Sequence, residues 1–538
     1  MIKGLINHKV RQVAAKPSTQ PCSPVKRQNT PKKRGPKPKP ASKPAAIYPE
    51  VLGLLRERFP RIPSQVWNAV MSGFHASLSE LLAMLDADLA GDEADLELLH
   101  LIEDKIPEWT YETGRRVIEG VLIDQSGQWG NRLSCPECGS QSLRFKGYRP
   151  LVVNGLLGAI SLSRSRYRCD CCAAESYPLD HQLGLTDGHR MLPKLQTMIA
   201  RMSAKSPYAE ALETLQEILP TKFCLRTQEN VTHTVAKQAL RQQQTELVQA
   251  FSSSKMPVLP APKEAPPPGS VAAVAVDGGF CRMRDKNDPY REFKLGVLAW
   301  LAPKPRQSAN EEPPDVHGKH YVGTFQGADA VMDLVTLEFH RMGLQEALVV
   351  QLLGDGAEWI WNRAGHFVNE GQELIQTLDI YHARERLAET AAKAFGQDDQ
   401  AASAWYKERD DDLLQGNFRR FFLAFSLLAK SAGDSEIREL VKANRNYFHT
   451  RRKLLNYKEC LERGLLVGSG MVEGGIRFVG KDRLHRTGMQ WSEPGAEHIL
   501  CLRALHASGR WKDFVESESQ RRIDAYKNYK STLLSKVA

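Results

Sequence analysis

The sequence predicts a multidomain α+β protein: a mixed α/β core with a helical insertion, preceded by a four-cysteine module and a pair of helices. Three observations carry this. At 538 residues the chain is a poor fit to one domain, since about 100–200 residues per domain suggests three or four. Six prolines between residues 257 and 268 mark a boundary between a helical half and one with short apolar strands. Beyond that boundary, strands and helices alternate. Hydrophobic residues make up 42% of the chain, enough to bury real cores. No run of 18 apolar residues occurs, so no membrane-spanning helix is expected.

The formal net charge is +10, and it is unevenly placed. Residues 1–45 hold 12 of the 73 basic residues and no acidic ones, leaving 61 basic against 63 acidic residues in the rest. Proline and charge repulsion keep such a leader from folding alone, so it reads as a disordered basic arm. It lacks the apolar stretch of a secretory signal, and its prolines disfavour the amphipathic helix of a transit peptide. Its Lys32-Lys33-Arg34-Gly35-Pro36-Lys37 run is similar to a degenerate AT-hook, which lays Arg into a narrow minor groove. Residues 46–130 then show helical spacing, with Leu78, Leu81, Leu82 and Leu85 on one stripe, and carry no visible chemistry.

Residues 131–185 change character. Cys135-Pro136-Glu137-Cys138 is followed by Cys169-Asp170-Cys171-Cys172. Two such pairs supply four thiolates for a structural zinc, with Cys135, Cys138, Cys169 and Cys172 as ligands and Cys171 as the alternative to Cys172. Residues 159–168 alternate like a strand and set Arg164, Arg166 and Arg168 on one face, a candidate DNA contact. The remaining six of the ten cysteines show no pairing framework, which fits a reducing cytoplasm. Residues 186–250 read as helices. Ser206-Pro207 starts one, Ala211, Leu212, Leu215, Ile218 and Leu219 give its apolar face, and Thr227 is the expected cap of the next. Two helices across a short turn fit a helix-turn-helix, or an ordinary helical hairpin.

After the linker at 251–270, residues 271–276, 291–300 and 319–325 read as strands, 330–342 as a helix, and 347–353 and 374–378 as further strands. This order fits a ribonuclease-H-like mixed sheet with helices on its faces. Residues 391–465 read as helical and mixed in charge, and 512–538 as a helical tail. Asp277 and Asp355 each close an apolar strand before a Gly, where ligands of open α/β sheets gather. Carboxylates buried there call for a cation, and Mg²⁺ or Mn²⁺ suits oxygen ligands beside a phosphate. Glu473, within Gly468-Ser469-Gly470-Met471-Val472-Glu473-Gly474-Gly475, is the third carboxylate. On a regular helix Arg477 and Lys481 share its face as phosphate-pairing cations.

The segments Val274-Ala275-Val276-Asp277-Gly278-Gly279, Leu353-Gly354-Asp355-Gly356-Ala357-Glu358-Trp359-Ile360 and Gly468-Ser469-Gly470-Met471-Val472-Glu473 resemble the three blocks of DDE transposases of the Mutator-like group, closest to bacterial insertion-sequence transposases of the ISKra type. Leu378-Asp379-Ile380-Tyr381-His382-Ala383 resembles the Asp-x-x-His signature of that group, and Arg483-Leu484-His485-Arg486-Thr487-Gly488-Met489-Gln490-Trp491 the segment after the Glu. The resemblance spans about residues 130–511. It implies a ribonuclease-H-like core with residues 391–465 as a helical insertion, Asp277, Asp355 and Glu473 as the metal-binding triad, and Asp379, His382 and Arg483 as accessory residues. It further implies binding of double-stranded DNA at the element's terminal repeats, strand cleavage and strand transfer, a homodimer or higher oligomer on DNA, and a cytoplasmic, nucleoid-associated protein. A transposase-derived DNA-binding protein and a ribonuclease-H-like nuclease or resolvase are the alternatives.

Overall fold

The computed structural model describes residues 64–88, 95–125, 129–252, 269–366, 371–396 and 398–535, with single positions elsewhere at 53, 57–60, 62 and 368. The basic arm, with Lys32, Lys33 and Arg34, and most of the Pro-rich linker lie outside the described residues. The chain is an α+β protein packed as two units. One comprises residues 1–153, 159–186 and 524–538, and the other residues 154–158 and 187–523. No described helix is long and apolar enough to cross a membrane.

In the first unit the helices Ser64–Asp88 and Asp95–Gln125 pack together. Phe74 meets Trp109 edge-on at 5.9 Å, and Arg116 pairs with Glu80 at 2.8 Å. The strands β1 (Arg132–Leu133), β2 (Leu143–Gly155), β3 (Gly158–Cys169) and β4 (Glu175–Ser176) follow in that order across one sheet. β3 alternates buried and open positions along its length, as the pattern at 159–168 predicts. Leu133, Leu143 and Tyr167 close a small core with Leu533 from the end of the helix Trp511–Leu534.

The second unit is built on β5 (Val271–Arg282), β6 (Tyr290–Ala302), β7 (Asp315–Thr324), β8 (Val349–Gly354) and β9 (Glu373–Leu378), in the spatial order β7-β6-β5-β8-β9. β5 to β7 form an antiparallel meander, while β8 and β9 run parallel to β5, so the sheet is mixed. Residues 271–276 are apolar without a break because both faces are covered. Ala273 and Ala275 enter one core cluster, and Ala272, Val274 and Val276 the other. The helix Ala328–Arg341 covers the second face. The first face takes the helices Ile380–Phe395, Phe418–Ser431 and Ser435–Thr450, together with the segment 470–484.

Several sequence expectations are corrected here. β5 does not end at Asp277. It runs on to Arg282, because the antiparallel partner β6 continues the ladder after the parallel partner β8 has stopped at Leu353. The helix expected to be capped by Thr227 begins earlier and spans Leu225–Ser252. The helical insertion starts at Ile380 rather than near residue 391. The helices at 186–250 do not stand apart as a separate domain. Ala200, Ala204, Val235 and Ala236 share a core with Cys501, Leu502 and Phe514, and His233 Nδ1 lies 2.8 Å from His498 Nδ1.

A buried ion cluster fastens this unit. Glu338 is 1% exposed and accepts hydrogen bonds from His320 Nδ1 at 2.6 Å, Arg510 Nη1 at 2.9 Å and Arg341. Burial alone would raise its pKa, but Arg510, His320 and Arg341 outweigh burial and hold the carboxyl at about 2. Replacing Glu338 with Ala takes the carboxylate from Arg510 and leaves Arg341 with Glu246 alone, and is expected to lower stability by about 3–5 kcal/mol in urea unfolding at pH 7. Because the folded-state pKa is depressed, the stabilisation is complete above the unfolded value of about 4.3 and fades as pH falls toward 2. An unfolding midpoint that is equal in wild type and Glu338→Ala at pH 7 contradicts this.

Candidate active site and metal centre

The register of the central strands sets out the carboxylates. Ala275 pairs with Leu353, and Gly354 with Leu378. Extending both registers by one or two positions brings Asp277 on β5 level with Asp355 and Asp379, the residues that directly follow β8 and β9. Their parity is that of Ala273, Ala275, Leu353 and Ile375, which face the cluster containing Met471 and Val472. The three aspartates therefore sit on the face that carries the Glu473 helix.

Each is held differently. Asp277 Oδ1 accepts from Gly278 N at 2.6 Å. Its pKa is pushed up to about 6, first by burial and further by Asp355 and Asp379, while the Gly278 amide and His382 oppose the rise. Asp355 Oδ1 accepts from Ala357 N at 2.9 Å. Its turn is held by the insertion: Tyr447 Oη donates to Asp355 O at 3.1 Å, and Arg451 Nε to Gly356 O at 2.9 Å. Arg386 and Arg451 lie over the Tyr447 ring at 4.0 and 4.2 Å. Asp379 is fully buried and caps the helix Ile380–Phe395 through Tyr381 N.

Asp379 also reaches the returning chain. It accepts from Ser469 N at 3.0 Å and from Ser469 Oγ at 2.5 Å. Ser469 precedes the short helix Gly470–Gly475, and its hydroxyl lies 3.4 Å from Glu473 Oε1. Burial, then Asp379, raises the Glu473 pKa, with Ser469 and His382 opposing. His382 stands 3.9 Å from Asp379 through Nε2 and 3.2 Å from Glu385 through Nδ1. The small residues beside Glu473 make room for the protein itself: a methyl group on Gly475 would stand 2.9 Å from Val297 Cγ2 and 3.0 Å from Leu295 Cδ2.

The basic residues expected near Glu473 are placed otherwise. Ile476–Lys481 is a π-turn, so the regular phase that would align Arg477 and Lys481 with Glu473 is broken. Both line a separate cavity. Arg483 is fully buried, donates from Nε to Ser203 O at 3.1 Å, and stacks over Trp491 at 4.9 Å and Tyr208 at 5.2 Å. Burial pulls its pKa down to about 10. As placed, it braces the segment from inside. Tyr447 and Arg451 are the supporting residues missing from the sequence reading, since no motif marks them, while Ser469 stands in the Glu473 motif without a role in that reading.

The cysteine module is regular. Cys135, Cys138, Cys169 and Cys172 bring their sulfurs within 4.8 Å of one another, an arrangement that could hold a metal such as zinc. Cys135 Sγ lies 3.6 Å from Cys172 Sγ, and Cys138 Sγ lies 3.7 Å from Cys169 Sγ. A tetrahedral zinc with bonds of about 2.3 Å requires edges of about 3.8 Å. Both pairs turn alike. Gly139 and Ala173 follow the second ligand of each pair with φ of +71° and +62°, and donate to Cys135 O and Cys169 O. That symmetry selects Cys172 over Cys171. Against the burial that would raise it, hydrogen bonds from Ser140 and Ser142 bring the Cys169 thiol down to about 5. Of the arginines on β3, Arg164 pairs with Asp180 and Arg166 with Glu175, while Arg168 is exposed.

Among the described residues the four cysteines are the only group of three or more Cys, His, Asp or Glu placed to hold one ion. The carboxylates at the strand ends share a field but do not yet form a cage. No protein-family model matches the chain, and no curated protein matches it.

Two outcomes are expected. Divalent-cation binding, followed by calorimetry, weakens as pH falls through about 6, where Asp277 takes up a proton. Asp277→Asn removes that pH dependence, and a profile flat from pH 5 to 8 in the wild type would count against it. Replacing Cys135 and Cys138 together with Ser abolishes bound zinc in elemental analysis. Unchanged zinc content would refute the cluster as its site.

Proposed function

We propose that the chain is a DDE-type transposase of the Mutator-like group, closest to the ISKra type, with a ribonuclease-H-like core. The observation that carries this reading is the level placement of Asp277, Asp355 and Asp379, with Glu473 brought onto the same face through Ser469. The strand order β7-β6-β5-β8-β9, an antiparallel meander followed by two parallel strands, supports the core assignment.

The donor set suits a hard divalent cation. Oxygen ligands from Asp277, Asp355 and Glu473 meet the preference of Mg²⁺ or Mn²⁺, and burial, with neighbouring carboxylates adding to it, raises the pKa values of Asp277 and Glu473, as a site that a cation would relieve requires. When bound, such ions supply Lewis-acid stabilisation of a phosphoryl oxygen and a more acidic water. The chain's own residues do the placing. Asp379 fixes Ser469 and through it Glu473, while Tyr447 and Arg451 fix the Asp355 turn. The reaction comprises two in-line displacements at phosphorus. Water first opens a phosphodiester at the element end, leaving a 3′-OH. That hydroxyl then attacks a target phosphodiester, forming one P–O bond as another breaks. The cysteine module, the helix pair at 208–252 as a helix-turn-helix, and the basic arm recognise double-stranded terminal repeats. Pairing two ends calls for a homodimer or larger assembly.

A strand-transfer assay with the element's own ends and Mg²⁺ or Mn²⁺ tests this. Asp277→Ala, Asp355→Ala and Glu473→Ala are each expected to lower joining by about a thousandfold or more, the equivalent of about 4 kcal/mol of lost transition-state stabilisation. End binding in a mobility-shift assay should stay at the wild-type level. Full joining by any one of the three would overturn the triad.

A further inference from the structure

A cavity of about 850 Å³ in the second unit is lined by none of the carboxylates Asp277, Asp355, Asp379 and Glu473. Its walls come from the end of the helix Pro193–Lys205, the π-turn Ile476–Lys481 with the residues after it, and the helix Glu493–Ala507. Lys205, Arg477 and Lys481 are exposed and line it, and among the described residues no carboxylate pairs with any of them. Cations on an ordinary solvated helix face stand on a convex surface and commonly pair with a carboxylate three or four residues away. Here they converge on a hollow whose lining also holds Arg486, Arg503 and the carboxylate of Asp482, so cations outnumber the anion and low-dielectric walls focus a net positive field. Burial, then Lys205, Arg201 and Arg503, hold the pKa of the lining residue His506 down, a local sign of that field.

The hollow has a built wall. Arg503 donates to Val479 O at 2.6 Å, to Ala204 O at 2.9 Å and to Phe478 O, tying the π-turn to the end of the neighbouring helix. Phe478 is 51% exposed and also lines the cavity, with the Arg503 guanidinium 5.9 Å from its ring. A bare aromatic ring among unpaired cations is the combination that binds unpaired nucleotides, through phosphates and a stacked base. The volume is that of a small-molecule site, about 300–1,000 Å³, which admits a few nucleotides of one strand and excludes a duplex. In sequence, the lining residue Arg477 follows Glu473 by four positions.

We propose that this cavity binds a single DNA strand, with its phosphates on Lys205, Arg477 and Lys481 and one base stacked on Phe478. The identification of the strand as DNA leaving the carboxylate site rests on the transposase reading; the binding chemistry does not.

Fluorescence anisotropy on the full chain, without added divalent cation, tests it with a short labelled single strand and the matching duplex. Phe478→Ala is expected to weaken single-strand binding about tenfold while duplex binding changes by less than about twofold. Phe478→Trp retains single-strand binding. Lys205→Ala and Lys481→Ala each flatten the dependence of log K on log salt by about 0.7 for the single strand, and Lys481→Arg restores it. Single-strand affinity unaffected by Phe478→Ala, equal losses for strand and duplex, or an unchanged salt slope in the double lysine variant each overturn the proposal. Asp277→Ala should bind the strand as the wild type does. If the wild type joins no ends yet the Phe478 and lysine variants lose the strand, the cavity stands and the transposase reading falls.

Discussion

A single buried carboxylate ties the candidate site together. Asp379 has no solvent contact, and a charge in that position is costly unless hydrogen bonds satisfy it. Three donors do so: the Tyr381 amide, the Ser469 amide and the Ser469 hydroxyl. The first begins the insertion, and the other two begin the helix that carries Glu473. Asp379 and Ser469 are 90 residues apart in sequence. The cost of leaving Asp379 unsatisfied thus forces the chain, after the whole insertion, back to the carboxyl edge of the sheet. Glu473 arrives there because Ser469 must.

Much of this was legible in the sequence, and the reasons for the rest are physical. The central strands announce themselves as apolar runs because both faces are covered, and their predicted limits fall within a few residues except at the meander. The four cysteines follow from spacing alone. Choosing Cys172 over Cys171 needed the left-handed turn at Ala173, which no pattern reveals. The overrun of β5 past Asp277 depends on a partner strand rather than on its own residues. The π-turn defeats any periodicity argument, since one wider turn rotates everything after it. Arg483 reads as a surface cation within a basic run, but Trp491 and Tyr208 cover it, and the latter lies in another part of the sequence. Asp379 reads from the sequence as an accessory residue in a short motif. Its level beside Asp277 and Asp355 appears only when strand register is known.

The insertion between Asp355 and Glu473 is more than a spacer. Its helix Ser435–Thr450 and the residue after it send Tyr447 and Arg451 back to the backbone of the Asp355 turn. The turn itself has little to stiffen it, with Gly356 at φ +89°. Two side chains from the insertion supply the rigidity that fixes the Asp355 carboxylate in place. Beside them Phe421, Phe425 and Phe448 pack ring against ring at 5.1 to 5.8 Å, a firm base for that reach.

The glycine contacts under the Glu473 helix carry a consequence for variation in this chain. Gly475 meets Val297 and Leu295, and Gly480 meets the ring of Phe293, with no room for a methyl group at either position. The height of the helix above the sheet is therefore set by interlocking volumes on the two sides. Residues in such contact do not vary independently, and their substitutions combine non-additively. A larger residue on the helix is tolerable only with a smaller one on β6. The helix and β6 thus constitute one unit of inheritance, even though β6 carries none of Asp277, Asp355, Asp379 and Glu473.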